Sequence, residues 1–562
     1  MPPVAAFAVA ALVLLAVAAQ WSLHRNRQRL LAAIRASWGK PGSRVHKLDA
    51  IAEYHRSKVL AHGAGRALDD RTWSDLDMDA VFQSLDRTHS TLGQQVLYHR
   101  LRRQDAGDLD QFEQLVERLS RDAQTRERIQ LALAGLREPD GYDLWWLTQA
   151  DAVARPRWYL VFVAWAVIVF TAMVAIPWWP GAILIPVAGA AVNLLIRTKT
   201  VWRVSAMIGP FRQVRALVSA AEAVRDAVLP GQLAATLAGD LAQTARLNGI
   251  ARWVGRDPSK SNELIAGFWE YLNLLFLLDI NALSLAYGEL QACGPALLRL
   301  IGAVGEVDAA ISVASLRAGS DGWVRPRFQP SWSGAAMSGL EHPLVVGAVP
   351  NAITLGPPHG VLVTGSNMSG KSTFLRTVGV TAVMAQSINT CFATAYCAPV
   401  VAVRSCIGRG DDLVAGKSYY LVEVEEVLSR VKASASAEPH LFLFDELFRG
   451  TNAVERIAAG EAVLREMVKD TGNGPSHVVL AATHDAELVE LLGDCYAACH
   501  FGDSIGVTGL TFDYRLLPGP ATTRNAITLL ELNGASPSLV TTALARAAEL
   551  DRQRGARASR PL

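Results

Sequence analysis

The residues best suited to chemistry lie in three short runs. "GVLVT" (360–364) is a continuous apolar run that breaks into "GSNMSGKS" (365–372). The first reads as a buried strand and the second fits G-x-x-x-x-G-K-[ST]. Gly365 and Gly370 let the backbone curl so that Ser366, Asn367, Met368, Ser369 and Thr373 can turn their N–H groups onto a phosphate. The helix that follows aims its positive end at the same anion. Lys371 supplies charge for β and γ phosphates, and Ser372 a hydroxyl for Mg²⁺. "LFLFDE" (441–446) is a second buried strand ending in Asp445, placed to support the metal, and Glu446, placed to polarise an attacking water. "VVLAATH" (478–484) is a third strand ending in His484, a residue type that can hold a γ-phosphate or the lytic water. The cofactors implied are ATP and Mg²⁺.

Elements must hold those residues in place, and the chain is long enough for several. Its 562 residues exceed one ordinary domain. A net charge of +2 sets up no global basic field for nucleic acid. The six cysteines show no disulfide spacing, and "CYAACH" (Cys495, Cys499, His500) lacks a second ligand pair, so packed reduced thiols are the plainer reading.

Hydrophobic residues make up 51% of the chain and charged ones 19%, an apolar balance concentrated in three runs. Val4–Ala19 is followed by Trp21 and "HRNRQR", the charge order of an uncleaved anchor with its C-terminal side in the cytoplasm. Trp158–Ile176 and Ala182–Ile196 are joined only by "PWWPG" and flanked by Arg155, Arg157, Arg197, Lys199 and Arg203. That pattern predicts a membrane hairpin with both ends on the same positive side. A fourth apolar stretch from Phe268 contains Glu270 and Asp279 and reads as a buried soluble helix.

Four segments in order, "TGSNMSGKSTFLRT", "DDLVAGKSYYLVEVEE", "LFLFDELFRGTNAVE" and "AATHDAELVELL", resemble the ATPase domain of the MutS family. "EHPLV" (341–345) and "GPATTRNAITLLELNGASP" (519–537) extend the likeness over roughly 340–550. "DAVFQSLDRTHSTLGQQVLYHRLRRQ" (79–104) is similar to the start of that family's helical lever. The resemblance implies an α/β P-loop ATPase domain of the ABC class, preceded by an all-α lever domain carrying the transmembrane helices. It implies Asp445 and Glu446 as metal-supporting acid and catalytic base, with Lys371 and His484 also catalytic. Ser418 would act in trans, Arg449–Asn452 would face the partner, and Asn351 and Ile353 would lie beside adenine. The departures are Ser366 for a usual Pro, Ser369 and Phe448 for Gly, and Lys417 for Arg.

The organisation expected is an anchor (1–22), a basic juxtamembrane linker (23–44), a lever in two parts (45–150 and 204–325) around a membrane hairpin (151–203), an ATPase domain (326–540), and a C-terminal helix with a basic tail (541–562). No mismatch-reading domain or DNA clamp is evident, and Phe268-Trp269-Glu270 reads as core packing and not as a Phe-x-Glu wedge. The hairpin would stand where the clamp is inserted. The reading is a multi-pass cell-membrane protein with a cytoplasmic ATPase domain, homodimeric through those domains. Its function would be a membrane-tethered ATPase related to DNA mismatch repair, with DNA as a partner. The alternative is an ATP-driven membrane mechanical or signalling device without a DNA substrate; a transporter fits less well, since three spans are few and no LSGGQ-type signature is present.

Overall fold

A computed structural model describes residues 3–42, 44, 46–63, 66–149, 159–228, 232–252, 263–332, 334–356, 360–366, 368–408, 419–436, 438–469, 477–506, 509–521, 527, 530–531 and 534–558. The chain forms two compact units that interleave in sequence. The first takes Met1–Gly65, Phe82–Arg100 and Asp110–Asp321; the second takes Arg66–Val81, Leu101–Leu109 and Gly322–Leu562.

The first unit is helical. Its longest elements are Pro3–Ser37, Leu184–Val228 and Leu278–Ala318, of 35, 45 and 41 residues. A buried polar cluster keys its helices together. The Asp308 carboxylate accepts from the Ser90 N–H (2.7 Å), the Ser90 hydroxyl (2.5 Å) and the His89 N–H (2.9 Å). Full burial pushes that carboxyl up to about 6. Bonds of this kind fix helix register, because a shift would leave a buried acceptor unsatisfied.

Among the described residues, no helix is long and apolar enough to cross a membrane. This overturns the three expected transmembrane helices and, with them, the multi-pass cell-membrane placement. The run from Val4 is part of the Pro3–Ser37 helix, which continues through Arg25, Arg27 and Arg29. Helix Tyr159–Ala175 has 17 residues. At ~1.5 Å per residue it reaches about 26 Å, short of a hydrocarbon core of about 30 Å. The third run is no separate element: a 3₁₀ turn at Pro180–Ile183 leads into the Leu184–Val228 helix.

The hairpin is also bonded into the helical unit. Asn193 is buried; it accepts from Trp165 Nε1 (3.0 Å) and donates to the Leu274 and Leu275 carbonyls (2.9 and 2.8 Å). Asn281 donates to the carbonyls of Phe276 (2.8 Å) and Phe162 (3.4 Å). Helices packed in this way belong to the helical unit, and the idea of a membrane hairpin standing in for a clamp falls with the spans. Outward-facing Val161, Phe170, Trp178 and Leu195 remain exposed.

The stretch from Phe268 is two helices, Glu263–Phe276 and Leu278–Ala318, turning at Leu277 with φ of 50°. Asn273 sets the turn: its Nδ2 donates to Asp279 Oδ2 (2.6 Å) and its Oδ1 accepts from the Asp279 N–H (3.1 Å). Asp279 is buried, as expected, but Phe268 is 63% exposed and Glu270 is exposed, so the core reading of that triplet fails at both positions.

The second unit holds ten described strands: β1 (Arg327–Phe328), β2 (Ala335–Leu340), β3 (Asn351–Leu355), β4 (Gly360–Thr364), β5 (Ala395–Ala398), β6 (Ala402–Ile407), β7 (His440–Asp445), β8 (His477–Ala482), β9 (Tyr496–Gly506) and β10 (Gly509–Pro518). β1-β5-β2-β3 form a small sheet and β10-β9-β4-β8-β7-β6 a larger one. In the larger sheet only β10 is antiparallel. Parallel strands covered on both faces must be apolar throughout, which is why β4 and β8 are buried at every position.

The outer strand β6 is capped by side chains from the two inserted segments. Its N–H groups at Val403, Ser405 and Ile407 donate to Gln104 Oε1, Thr72 Oγ1 and Asp75 Oδ2. Alternate residues of a strand point one way, so three side chains satisfy the edge that a further strand would otherwise occupy.

Candidate active site

The site lies at the C-terminal ends of β4, β7 and β8, where a parallel sheet presents its loops and helix N-termini. Register brings the motifs together: Val363 pairs with Ala482, and Asp445 pairs with Ala482 from the other side. Three runs far apart in sequence therefore end on one rim.

After β4, Gly365 takes φ of 143°, and a Cβ there would come within 2.8 Å of Ser369 Oγ and 3.1 Å of the Phe501 carbonyl. Gly370 takes φ of 106° and opens the helix Lys371–Ile388. Met368 adopts φ of 73° and is exposed, whereas Ser369 is fully buried. The hydroxyls of Ser366 and Ser369 are buried and make no hydrogen bond among the described residues. Asn367 lies outside the described residues. Thr373 is exposed on the first turn of the helix.

Lys371 is 5% exposed and folds back over this loop, its Nζ donating to the Gly365 and Ser366 carbonyls at 2.9 and 3.0 Å. Burial lowers its pKa, and the nearby Glu446 and Asp445 carboxylates oppose that. Ser372 Oγ donates to Asp445 Oδ2 at 2.6 Å. Asp445 Oδ1 is buried without a hydrogen bond, and burial pushes this carboxyl up.

Glu446 follows with φ of 52°, its N–H donating to the Ala482 carbonyl (3.0 Å). Its Oε1 lies 3.2 Å from His484 Nδ1 and its Oε2 3.3 Å from Arg449 Nε. The bond to His484 holds Glu446 below the usual carboxylate range and raises the imidazole above its own. Arg456 grips Asp485, the residue after His484, with two bonds of 3.0 and 2.7 Å.

A cavity of about 760 Å³ opens onto Gly370–Thr373, Asp445, Glu446 and Arg449. It is also lined by Val345–Val349, Asn351, Phe501 and Tyr514. The volume suits a nucleotide-sized ligand.

Asn351 serves this lining as a strut. Its amide donates to the Val349 and Tyr514 carbonyls (3.0 and 2.9 Å), and its Oδ1 accepts from the Leu516 N–H (2.7 Å), tying β3 to β10. Ile353 is buried in β3 and is not among the residues that line the cavity. Ser418 lies outside the described residues. Of Arg449–Asn452, Arg449 reaches the cavity and Asn452 caps the helix Ala453–Val468 by accepting from the Glu455 N–H (3.0 Å). Tyr514 and Phe501 were not singled out from sequence; each is one aromatic in an ordinary strand, and no spacing marks them.

The donor set fits a magnesium nucleotide. The hydroxyls of Ser366 and Ser369 and the Asp445 Oδ1 are buried without a hydrogen bond, beside a glycine-shaped cradle and a lysine held on two carbonyls, a set that an anion and a hard cation would satisfy.

Comparison with known proteins agrees with this geometry. Residues 361–551 match the family described as MutS domain V. The chain is 32% identical over 278 residues to the DNA mismatch repair protein MutS of Streptococcus equi subsp. equi, covering 47% of this chain and 31% of that protein. It is 33% identical over 244 residues to MutS of Thermus aquaticus, covering 43% and 28%. It is 30% identical over 276 residues to the DNA mismatch repair protein MSH6 of Arabidopsis thaliana, covering 45% and 20%. The chain thus spans under a third of the length of these relatives. The loop, the acidic strand end and the histidine all fall within the segment that is similar to MutS domain V.

Proposed function

We propose that the second unit binds and hydrolyses ATP, and that two copies of this chain close over nucleotide to do so. The observation that carries the reading is the Ser372–Asp445 contact of 2.6 Å beside a lysine already folded over the phosphate loop. On binding, Lys371 exchanges the Gly365 and Ser366 carbonyls for β and γ phosphate oxygens. Gly365–Thr373 surround those phosphates with N–H groups, and the helix Lys371–Ile388 adds its positive end. Ser372 and Asp445 would hold Mg²⁺, which supplies charge neutralisation on the β and γ phosphates.

Glu446 accepts the proton of the attacking water; its pairing with His484 keeps it ionised for that task. Ser418 and the Arg449–Asn452 loop act toward the second copy. The base end of the nucleotide lies along the wall that Asn351 braces. Because the relatives are named DNA mismatch repair proteins, DNA is the partner we propose for the ATP-driven motion.

The test is ATP turnover by the purified chain with Mg²⁺ and with EDTA, followed by binding to matched and mismatched duplexes with and without ATP. Absence of Mg²⁺-dependent turnover would sink the ATPase reading. Turnover without any nucleotide-responsive DNA binding would leave the engine and remove DNA as its partner.

A further inference from the structure

The turn carrying Glu446 is held from behind by a side chain that no motif marks. Glu446 and Phe448 both take left-handed backbone, with φ of 52° and 59°. For a non-glycine residue that conformation is unfavourable and persists only where the surroundings enforce it. Glycine is the residue that adopts such φ freely, and position 448 holds Phe. Something must therefore compensate here.

Two contacts do so, and both come from the helix Tyr419–Ser434. Phe448 is 5% exposed, in a cluster that includes Val427 and against which Val424 and Val431 pack. Glu423 Oε1 accepts the Phe448 N–H at 2.6 Å. Glu423 is only 8% exposed, its other oxygen is buried without a hydrogen bond, and burial raises its pKa. Such an acid is costly to keep in a core unless the bond it makes is needed.

We infer that Glu423 is a positioning residue for hydrolysis: its carboxyl oxygen holds the Phe448 N–H, and so fixes the turn that aims Glu446 and Arg449 into the cavity. Glu423 does not line the cavity, so it acts through the turn and not on the nucleotide. The inference rests on the ATPase reading above.

The experiment compares Glu423→Ala and Glu423→Gln with the unaltered full-length chain, measuring kcat for ATP, affinity for a fluorescent ATP analogue with Mg²⁺, and Tm. Loss of the acceptor lets the turn drift. A displacement near 1 Å costs about 10²-fold in rate, so Glu423→Ala is expected to lower kcat by about 10- to 100-fold. Affinity should stay within about threefold, because the phosphate loop is untouched. Glu423→Gln keeps an acceptor oxygen and should recover most of the rate. Met467→Ala, in the same cluster, is the control: it should lower Tm without a selective loss of kcat.

An unchanged kcat in Glu423→Ala overturns the inference, as does a parallel fall of kcat, affinity and Tm in both Glu423 variants. No turnover by the unaltered chain overturns the ATPase reading and this inference with it; turnover with an indifferent Glu423→Ala overturns the inference alone.

Discussion

The phosphate loop in the second unit and the apolar hairpin in the first are both conspicuous runs of sequence, yet they differ in how far sequence carries them. The loop's meaning is local. Gly365 and Gly370 sit at positive φ and Lys371 lies on the loop's own carbonyls, so the bonds that shape the turn fall within a few residues. The hairpin's meaning depends on what lies beside it. Apolar runs suit lipid or a protein interior alike, and the neighbour is shown by bonds such as those of Asn193 to Trp165 and to the carbonyls of Leu274 and Leu275. Spacing that encodes chemistry is thus a firmer guide than hydropathy.

The sharpest way to break this contrast is to remove the loop's charge. Lys371→Ala should abolish nucleotide binding and lower turnover by more than about 100-fold, as measured by equilibrium binding and phosphate release. Persistence of tight binding would mean that the Lys371 charge is not what grips phosphate.

Next in size is Glu446→Gln, expected to retain ATP binding while turnover falls by about 10²- to 10⁴-fold. Rapid turnover in that variant would assign the base elsewhere on the rim.

In the helical unit, Asn193→Leu tests the other side of the comparison. It strands the Leu274 and Leu275 carbonyls and Trp165 Nε1, so a loss of about 1–3 kcal/mol is expected in denaturant unfolding. Turnover per folded molecule should not change. An unaffected midpoint would mean that Asn193 does not tie the hairpin down.

The smallest effect is a pH profile. Glu446 is held below its ordinary 4.5, so its contribution to stability is present above that value and lost as pH falls through the folded pKa. His484 is raised above its ordinary 6.5, so its contribution is present below that value and lost as pH rises through the folded pKa. The Tm difference between the unaltered chain and His484→Ala should therefore peak in mild acid, between the two ordinary values. It should be small, since His484 is 41% exposed and the pair is screened. A difference that grows toward alkaline pH would contradict the pairing.

Much of the site was legible in advance. Strand, glycine loop and helix follow one another directly, and the acids and the histidine end apolar runs of strand length, so the rim could be named before it was seen. Asn351 was legible as a position but not as a role, because the bonds that occupy it come from Val349 on one side and from Tyr514 and Leu516 in β10 on the other. Glu423 was one acid among several on a helix; its value rests on meeting a backbone N–H at Phe448.

What the amino-acid sequence determined by itself is the glycine turn between β4 and the helix Lys371–Ile388, since glycine conformation, lysine charge and helix polarity act over neighbouring residues. Tertiary structure alone decided that Ser372 meets Asp445, that residues 66–81 and 101–109 join the sheet-bearing unit and cap β6, and that the apolar hairpin packs on helices. Those outcomes depend on pairing between distant segments, where the same side chain satisfies or strands a buried polar group according to the neighbour that folding supplies.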